Sequence, residues 1–459
     1  MKKGKTVIGD EGIYDARQLG VPKMLILGLQ HMFAMFGATV LVPALTGLSV
    51  SATLLFAGLG TLLFHLISKG KVPAFLGSSF AFLGGYAAIA PMLKNPETGL
   101  NTVPNVEMLP YACFGVACAG LVYVILAAMF KAFGANKVMR FFPPIVTGPI
   151  IICIGLTLSS TAINSCSNNW PVALVAILTV IICNIWGKGM IKIIPILLGV
   201  IASYIVGALS GQVDFASVHE AAWIGLPFRW DTTVFGLFGS GKLDTSLLVT
   251  SVITIVPISL ATMIEHIGDI CAISSTCNRD YIKEPGLHRT LLGDGLATSL
   301  AALFGAPANT TYGENTGVLA LSKVFDPKVI RIAAVFAVLF SFSPKFAAIV
   351  SAMPVATMGG VSLVLYGMIS AVGVRNIVEN KVDFAKSRNV IIAALILVLA
   401  IGINYGPGSI NFTIAGANIG LSGLATSAIV GIVLNAVLPG KDYVFGKDIE
   451  GDTSVSFKV

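Results

Sequence analysis

The chain has 459 residues, of which 55% are hydrophobic and 11% charged, and its mean hydropathy is +0.88. Soluble domains carry roughly a quarter charged residues, so the composition excludes a water-solvated globular enzyme and implies a polytopic membrane protein. The net charge of +7 is not a nucleic-acid signature, because the basic residues sit in short clusters between apolar runs.

Residues 1–20 are polar and lack the short apolar core of a cleaved leader, so they read as a cytoplasmic segment. About 20 apolar residues are needed to cross the hydrocarbon layer. Fourteen candidate spans follow, near 21–46, 49–68, 72–92, 109–133, 141–163, 170–186, 193–211, 245–270, 289–305, 306–324, 329–350, 354–373, 388–404 and 420–438. With the N-terminus inside, this count puts 25 of the 29 basic residues on the cytoplasmic side, as the positive-inside rule requires. Both termini are then cytoplasmic. Residues 212–244 form an aromatic-rich external segment with Trp223, Phe228, Trp230, Phe235 and Phe238, which reads as an interfacial cover. Residues 439–459 form a polar tail. The seven cysteines make no Cys/His ligand set, so neither a metal nor a cofactor is expected.

The third and tenth spans are poor helices. KVPAFLGSSFAFLGG (71–85) and GAPANTTYGENTG (305–317) are crowded with Gly, Pro, Ser, Thr and Asn. Irregular backbone at membrane depth survives only where protein or a cavity surrounds it, and such interrupted segments in matching halves mark a transporter's binding site. Phe80 and Glu314 are 234 residues apart, as are His31 and Glu265. Equal offsets of half the chain predict two seven-span repeats, and because seven is odd the second runs inverted.

Charges at membrane depth cost at least ~2.5 kcal/mol and mark function. The notable ones are His31, His65, Glu265, His266, Asp269 and Glu314. Glu265 and Asp269, at i and i+4, share a helix face, whereas His266 turns away by about 100° and reads as structural. His31 serves either as a brace for a broken helix or as a proton relay, and His65 is structural. Glu314 lies in a broken segment whose free N–H groups favour electron-rich ligand atoms. Two ionised carboxylates accept from ring N–H groups. Backbone N–H groups near Phe80 and Gly313 donate to ring carbonyls, and Phe80 and Tyr312 cover the ring faces. That set suits a small planar imide. The LGDG at 292–295 faintly matches intramembrane aspartyl proteases but has no partner motif, so it is set aside.

The strings LQHMFAMFGATVLVP (29–43), KVPAFLGSSFAF (71–82), IEHIGD (264–269), PGLHR (285–289), NTTYGENTGVLALSK (309–323) and GGVSLVLYG (359–367) resemble the nucleobase–ascorbate transporter (nucleobase:cation symporter-2) family, in its bacterial uracil-permease branch. The resemblance implies fourteen spans in two inverted repeats. A core domain (21–133 and 245–353) slides against a gate domain (134–211 and 354–438), commonly as a homodimer in the bacterial cytoplasmic membrane. It further implies proton-coupled uptake of uracil. Glu265 and Glu314 hold the pyrimidine with the backbones of Phe80 and Gly313, and Tyr312, Tyr366 and His31 lie close by. Proton coupling falls to Glu265, Asp269, Glu314 or His31. Asp269 stands where the uracil type carries histidine and purine transporters often carry aspartate, which keeps xanthine or uric acid open as substrate. An anion transporter or channel on the same architecture is the remoter alternative.

Overall fold

The computed structural model describes residues 12–96, 101–239, 243–414 and 417–441. Lys2, Lys3, Lys5, Lys242, Lys447 and Lys458, which enter the charge alternation, lie outside them, as do most of the polar tail and the first eleven residues. In chain order the main elements are α1 (Val21–Thr46), α2 (Val50–Ile67), β1 (Leu76–Ser78), α3 (Leu83–Ile89), β2 (Leu93–Lys94), β3 (Asn101–Val103), α4 (Leu109–Phe133), α5 (Pro144–Cys166), α6 (Trp170–Ile185) and α7 (Pro195–Leu209). The second half holds α8 (Thr245–Ile255), α9 (Ser259–Thr276), α10 (Leu287–Leu303), β4 (Asn309–Thr311), α11 (Gly313–Ser322), α12 (Pro327–Ser341), α13 (Pro344–Ser351), α14 (Val355–Glu379), α15 (Ser387–Tyr405), β5 (Ser409–Ile414), β6 (Ala417–Ser422) and α16 (Gly423–Val437). Helical turns of six residues or fewer between them carry no label.

The protein is a mostly helical, multi-pass membrane protein. Among the described residues seven helices are long and apolar enough to cross a membrane, or eight if α12 and α13 count as one bent span. The helices α6, α7 and α16 are apolar but shorter. Fifteen residues rise only about 23 Å, less than the ~30 Å hydrocarbon thickness.

Local sequence explains the breaks. Residues 245–276 run as one span, and one segment read as continuous, 329–350, is interrupted. Pro257 lies in a 3-10 turn between α8 and α9. α12 and α13 meet at 87°, where Ser343 caps Phe346 N and Pro344 opens the second helix. Proline lacks the N–H that an uninterrupted helix needs.

The third and tenth segments are broken as expected, and their extended parts pair with each other. β1 and β4 form a two-stranded antiparallel sheet in the register Leu76↔Thr311, Gly77↔Thr310, Ser78↔Asn309. An open sheet edge cannot face lipid, and neighbouring helices close this one. Thr61 of α2 accepts from Leu76 N at 2.9 Å and donates to its carbonyl at 3.3 Å. Thr298 of α10 donates to Asn309 O at 2.5 Å, and Asn309 Nδ2 reaches Phe56 O at 2.8 Å. Gly77 is required by close approach, since a Cβ there would stand 2.6 Å from both Thr39 Oγ1 and the Tyr312 ring.

Helix pairs pack through small residues, because lipid offers helices no hydrophobic reason to associate. α2 lies on α10 and α12, α10 on α4, α1 on α12, and α8 on α4. A second group packs α5 on α14, α6 on α7 and α14, and α15 on α5 and α16. At the α4–α10 crossing, a Cβ on Gly120 would lie 2.6 Å from Gly295 O. The aromatic segment after α7 covers the end of α10, with Phe228 and Phe235 edge-on to Phe304, while Trp223 and Trp230 stay exposed.

The N-terminal strand is strapped onto the turn before α12. Ile13 exchanges backbone hydrogen bonds with Lys323 and Phe325, and the buried Asp326 accepts from Ala16 N and Lys328 N at 2.8 and 2.9 Å. Asp326→Ala leaves both donors without that acceptor, at a cost of about 1–3 kcal/mol. The expected outcome is trypsin cleavage after Arg17 well before the helices are cut, followed by mass spectrometry of the digest.

Candidate functional site

The candidate site lies where the β1–β4 pair meets α9. Tyr312 precedes α11 in an extended conformation and supplies no side-chain cap, so the first N–H groups of that helix have no carbonyl one turn back. Glu314 occupies this first turn, half-buried. Glu265 and Asp269 stand half-buried on one face of α9, as their spacing requires. Glu265 lies within electrostatic reach of Glu314, and Asp269 of both. Gly268 and Gly313 are exposed, and a Cβ on either would meet open space. The carboxylates therefore border a gap and not a packed helix face.

The surrounding groups are fixed by hydrogen bonds. The buried Tyr312 hydroxyl donates to Ser78 O at 2.8 Å, and Ser78 Oγ donates to Thr39 O at 2.9 Å. His31 is fully buried, and Asn315 Nδ2 lies 3.2 Å from its Nδ1 and 3.0 Å from its carbonyl. That geometry is a brace between α1 and α11. His65 braces the approach to β1 through Ala74 O at 2.9 Å. Phe80 leaves β1 and meets Tyr366 of α14 edge-on, ring centres 6.1 Å apart. Tyr366 also borders a cavity of about 340 Å³ lined by Thr46, Ala81, Thr157, Asn404 and Ser422, a size that accepts a small ligand.

The structure thus gathers Glu265, Asp269, Glu314 and Tyr312, ties His31 to the same helix start, and places Phe80 against Tyr366. Two buried side chains join this set. His266 does turn away from Glu265, but it is not isolated from Asp269. Thr311 Oγ1 donates to Asp269 Oδ2 at 2.8 Å and lies 3.4 Å from His266 Nδ1. Asp294, set aside with the LGDG string, is fully buried in α10, 3.3 Å from His266 Nδ1. An aspartate amid an apolar run was itself the signal that finds it.

A family model described as Permease family (Xan_ur_permease) matches residues 22–409. The chain belongs to this permease family. The permease is 42% identical over 432 residues to the uracil permease of Bacillus caldolyticus, covering 92% of this chain and 93% of that protein. It is 39% identical over 439 residues to the uracil permease of Bacillus subtilis, covering 93% and 94%. Among solved structures, the permease shares its fold with the transmembrane domain of a cyanobacterium bicarbonate transporter, BicA. The TM-score is 0.55 at 15% identity, over 90% of the permease and 97% of that chain.

Proposed function

We propose that this permease imports uracil together with a proton, by alternating access across the bacterial cytoplasmic membrane. The observation that carries this reading is that Glu265 and Glu314, from two different segments, stand within electrostatic reach of each other beside the uncapped first turn of α11. Uracil presents two ring N–H groups and two carbonyls. The carboxylates accept from the N–H groups, while the backbones of Phe80 and Gly313 donate to the carbonyls. Tyr312, Tyr366 and the Phe80 ring enclose the base. The permease's similarity to the two Bacillus uracil permeases supports the same substrate.

Fourteen segments in two inverted repeats are part of this proposal, with both termini cytoplasmic. Contacts recur when every segment number is shifted by seven. α2 on α12 repeats as α10 on α4, α1 on α12 as α8 on α4, α6 on α7 as α15 on α16, and α6 on α14 as α15 on α5. These contacts support a division into a core (21–133 and 245–353) and a gate (134–211 and 354–438), with two copies paired as a homodimer. Phe80 belongs to the core and Tyr366 to the gate, so their contact is remade whenever the core slides.

Two ionised carboxylates in one pocket repel, and a proton taken up with the base relieves the charge before the core moves. One charge crossing 100 mV supplies about 2.3 kcal/mol, or roughly fifty-fold accumulation. Uptake of labelled uracil into proteoliposomes, with and without an inward proton gradient, tests this reading. Gradient-stimulated uptake is the expected result, and none, or uptake indifferent to the gradient, ends it. Asp269 favours one second reading, a purine symporter, which competition by xanthine and uric acid decides. The acidic cluster opposes an anionic substrate.

A further inference from the structure

Beyond the groups assigned to substrate, the core holds a buried acid–base pair that the transport scheme above does not use. Asp294 and His266 are both fully buried. Among the described residues, neither oxygen of Asp294, nor His266 Nε2, has an aligned hydrogen-bond partner. Asp294 makes one ionic contact among the described residues, the 3.3 Å approach of its Oδ2 to His266 Nδ1.

The described groups around the pair bring no positive charge. Glu265 and Asp269 face Asp294 from α9, and Tyr123 faces it from α4 with its hydroxyl donated to Thr262. From α2, Phe64 packs on Gly293 and stands edge-on to the His266 ring at 6.2 Å, and the neighbouring His65 is engaged with Ala74 O. A lone carboxylate in such surroundings costs several kcal/mol. The pair is neutral when it holds one proton, either as carboxylic acid beside imidazole or as carboxylate beside imidazolium. Without that proton it carries a buried negative charge.

One route leads from the pair to the substrate side. Thr311 Oγ1 touches His266 Nδ1 at 3.4 Å and Asp269 Oδ2 at 2.8 Å, and Asp269 is half-exposed next to the open Gly268. We propose that the His266–Asp294 pair stores the proton that accompanies the substrate, and that the Thr311 hydroxyl passes it to and from Asp269.

The transfer balances without any further reactant. The O–H bond of a protonated Asp269 breaks as its proton joins Thr311 Oγ1. Thr311 gives its own proton to Nδ1 of a His266 protonated on Nε2, and the imidazolium formed rests beside the Asp294 carboxylate. Glu265 and Glu314 stay free to hold the base. Thr311 is a positioning and relay residue here, and Asp294 touches no substrate. This inference rests on the proton-coupled reading above.

The test measures proton uptake on uracil binding, with a pH dye in weakly buffered detergent solution, alongside uracil affinity. In wild-type protein a proton enters with uracil. Asp294→Asn is expected to bind uracil without taking up a proton, and to exchange labelled for unlabelled uracil in proteoliposomes while losing gradient-driven accumulation. Thr311→Val is expected to slow proton uptake by roughly 100-fold, with Thr311→Ser restoring it. Wild-type proton uptake by Asp294→Asn overturns the storage site and leaves the coupled transport intact. If that variant does not fold, the threonine pair decides, because equal rates for Val and Ser overturn the relay. Absence of proton uptake by the wild-type protein removes the coupled reading itself.

Discussion

Replacing either Glu265 or Glu314 with alanine is expected to abolish measurable uracil uptake while the protein still reaches the membrane. In the proposed site each carboxylate accepts from one ring N–H of the base. A hydrogen bond to a charged group is worth roughly 1.5–3 kcal/mol, and the donor left unsatisfied adds to the loss. At 1.4 kcal/mol per tenfold, each variant should lose roughly 100-fold in affinity. Both side chains are half-buried beside a gap, so truncating them opens no packed core and should spare folding. Uracil binding by calorimetry on purified variants, with membrane abundance measured in parallel, checks this. Wild-type binding by either variant removes the basis of the proposed site.

The second large effect is predicted at Gly155, in the α5–α14 contact. A Cβ there would lie 2.1 Å from the carbonyl oxygen of Tyr366 and 2.2 Å from Ser370 Oγ. Real Cβ atoms essentially never come within 3.0 Å of such neighbours, so even alanine forces the two helices apart. Overpacking of this kind costs roughly 1–3 kcal/mol. It also displaces the backbone that carries Tyr366, so the damage reaches the substrate side. Gly155→Ala should lower both thermal stability and uptake, and Gly155→Leu should yield little folded protein. Gly317→Ala, which meets open space, is the control and should melt like the parent. The seven free cysteines are buried or half-buried, so a thiol-reactive dye in a detergent melt reports the unfolding. A Gly155→Leu variant as stable as the parent would show that α5 and α14 do not pack this closely.

The site residues divide by how their signals arise. Glu265, Asp269 and Glu314 were legible because a charge in an apolar run is conspicuous whatever its neighbours. The broken third and tenth segments were legible because Gly, Pro, Ser and Asn cannot sustain a helix in lipid. Thr311 and Asn315 gave no comparable signal. Threonine and asparagine are ordinary in such loops, and their roles depend on which histidine stands opposite. Asp294 did carry a signal, but only its distance to His266 shows that the two form a unit.

The solvent, the run of apolar segments, the two breaks and the acids at depth were all readable residue by residue, since each follows from local composition against the cost of burying polar groups in hydrocarbon. Tertiary structure alone decided that β1 pairs with β4 and that Thr311 bridges Asp269 and His266. These are meetings of residues far apart in the chain. Their geometry is set by how closely small residues let the helices approach, which no window of local sequence encodes.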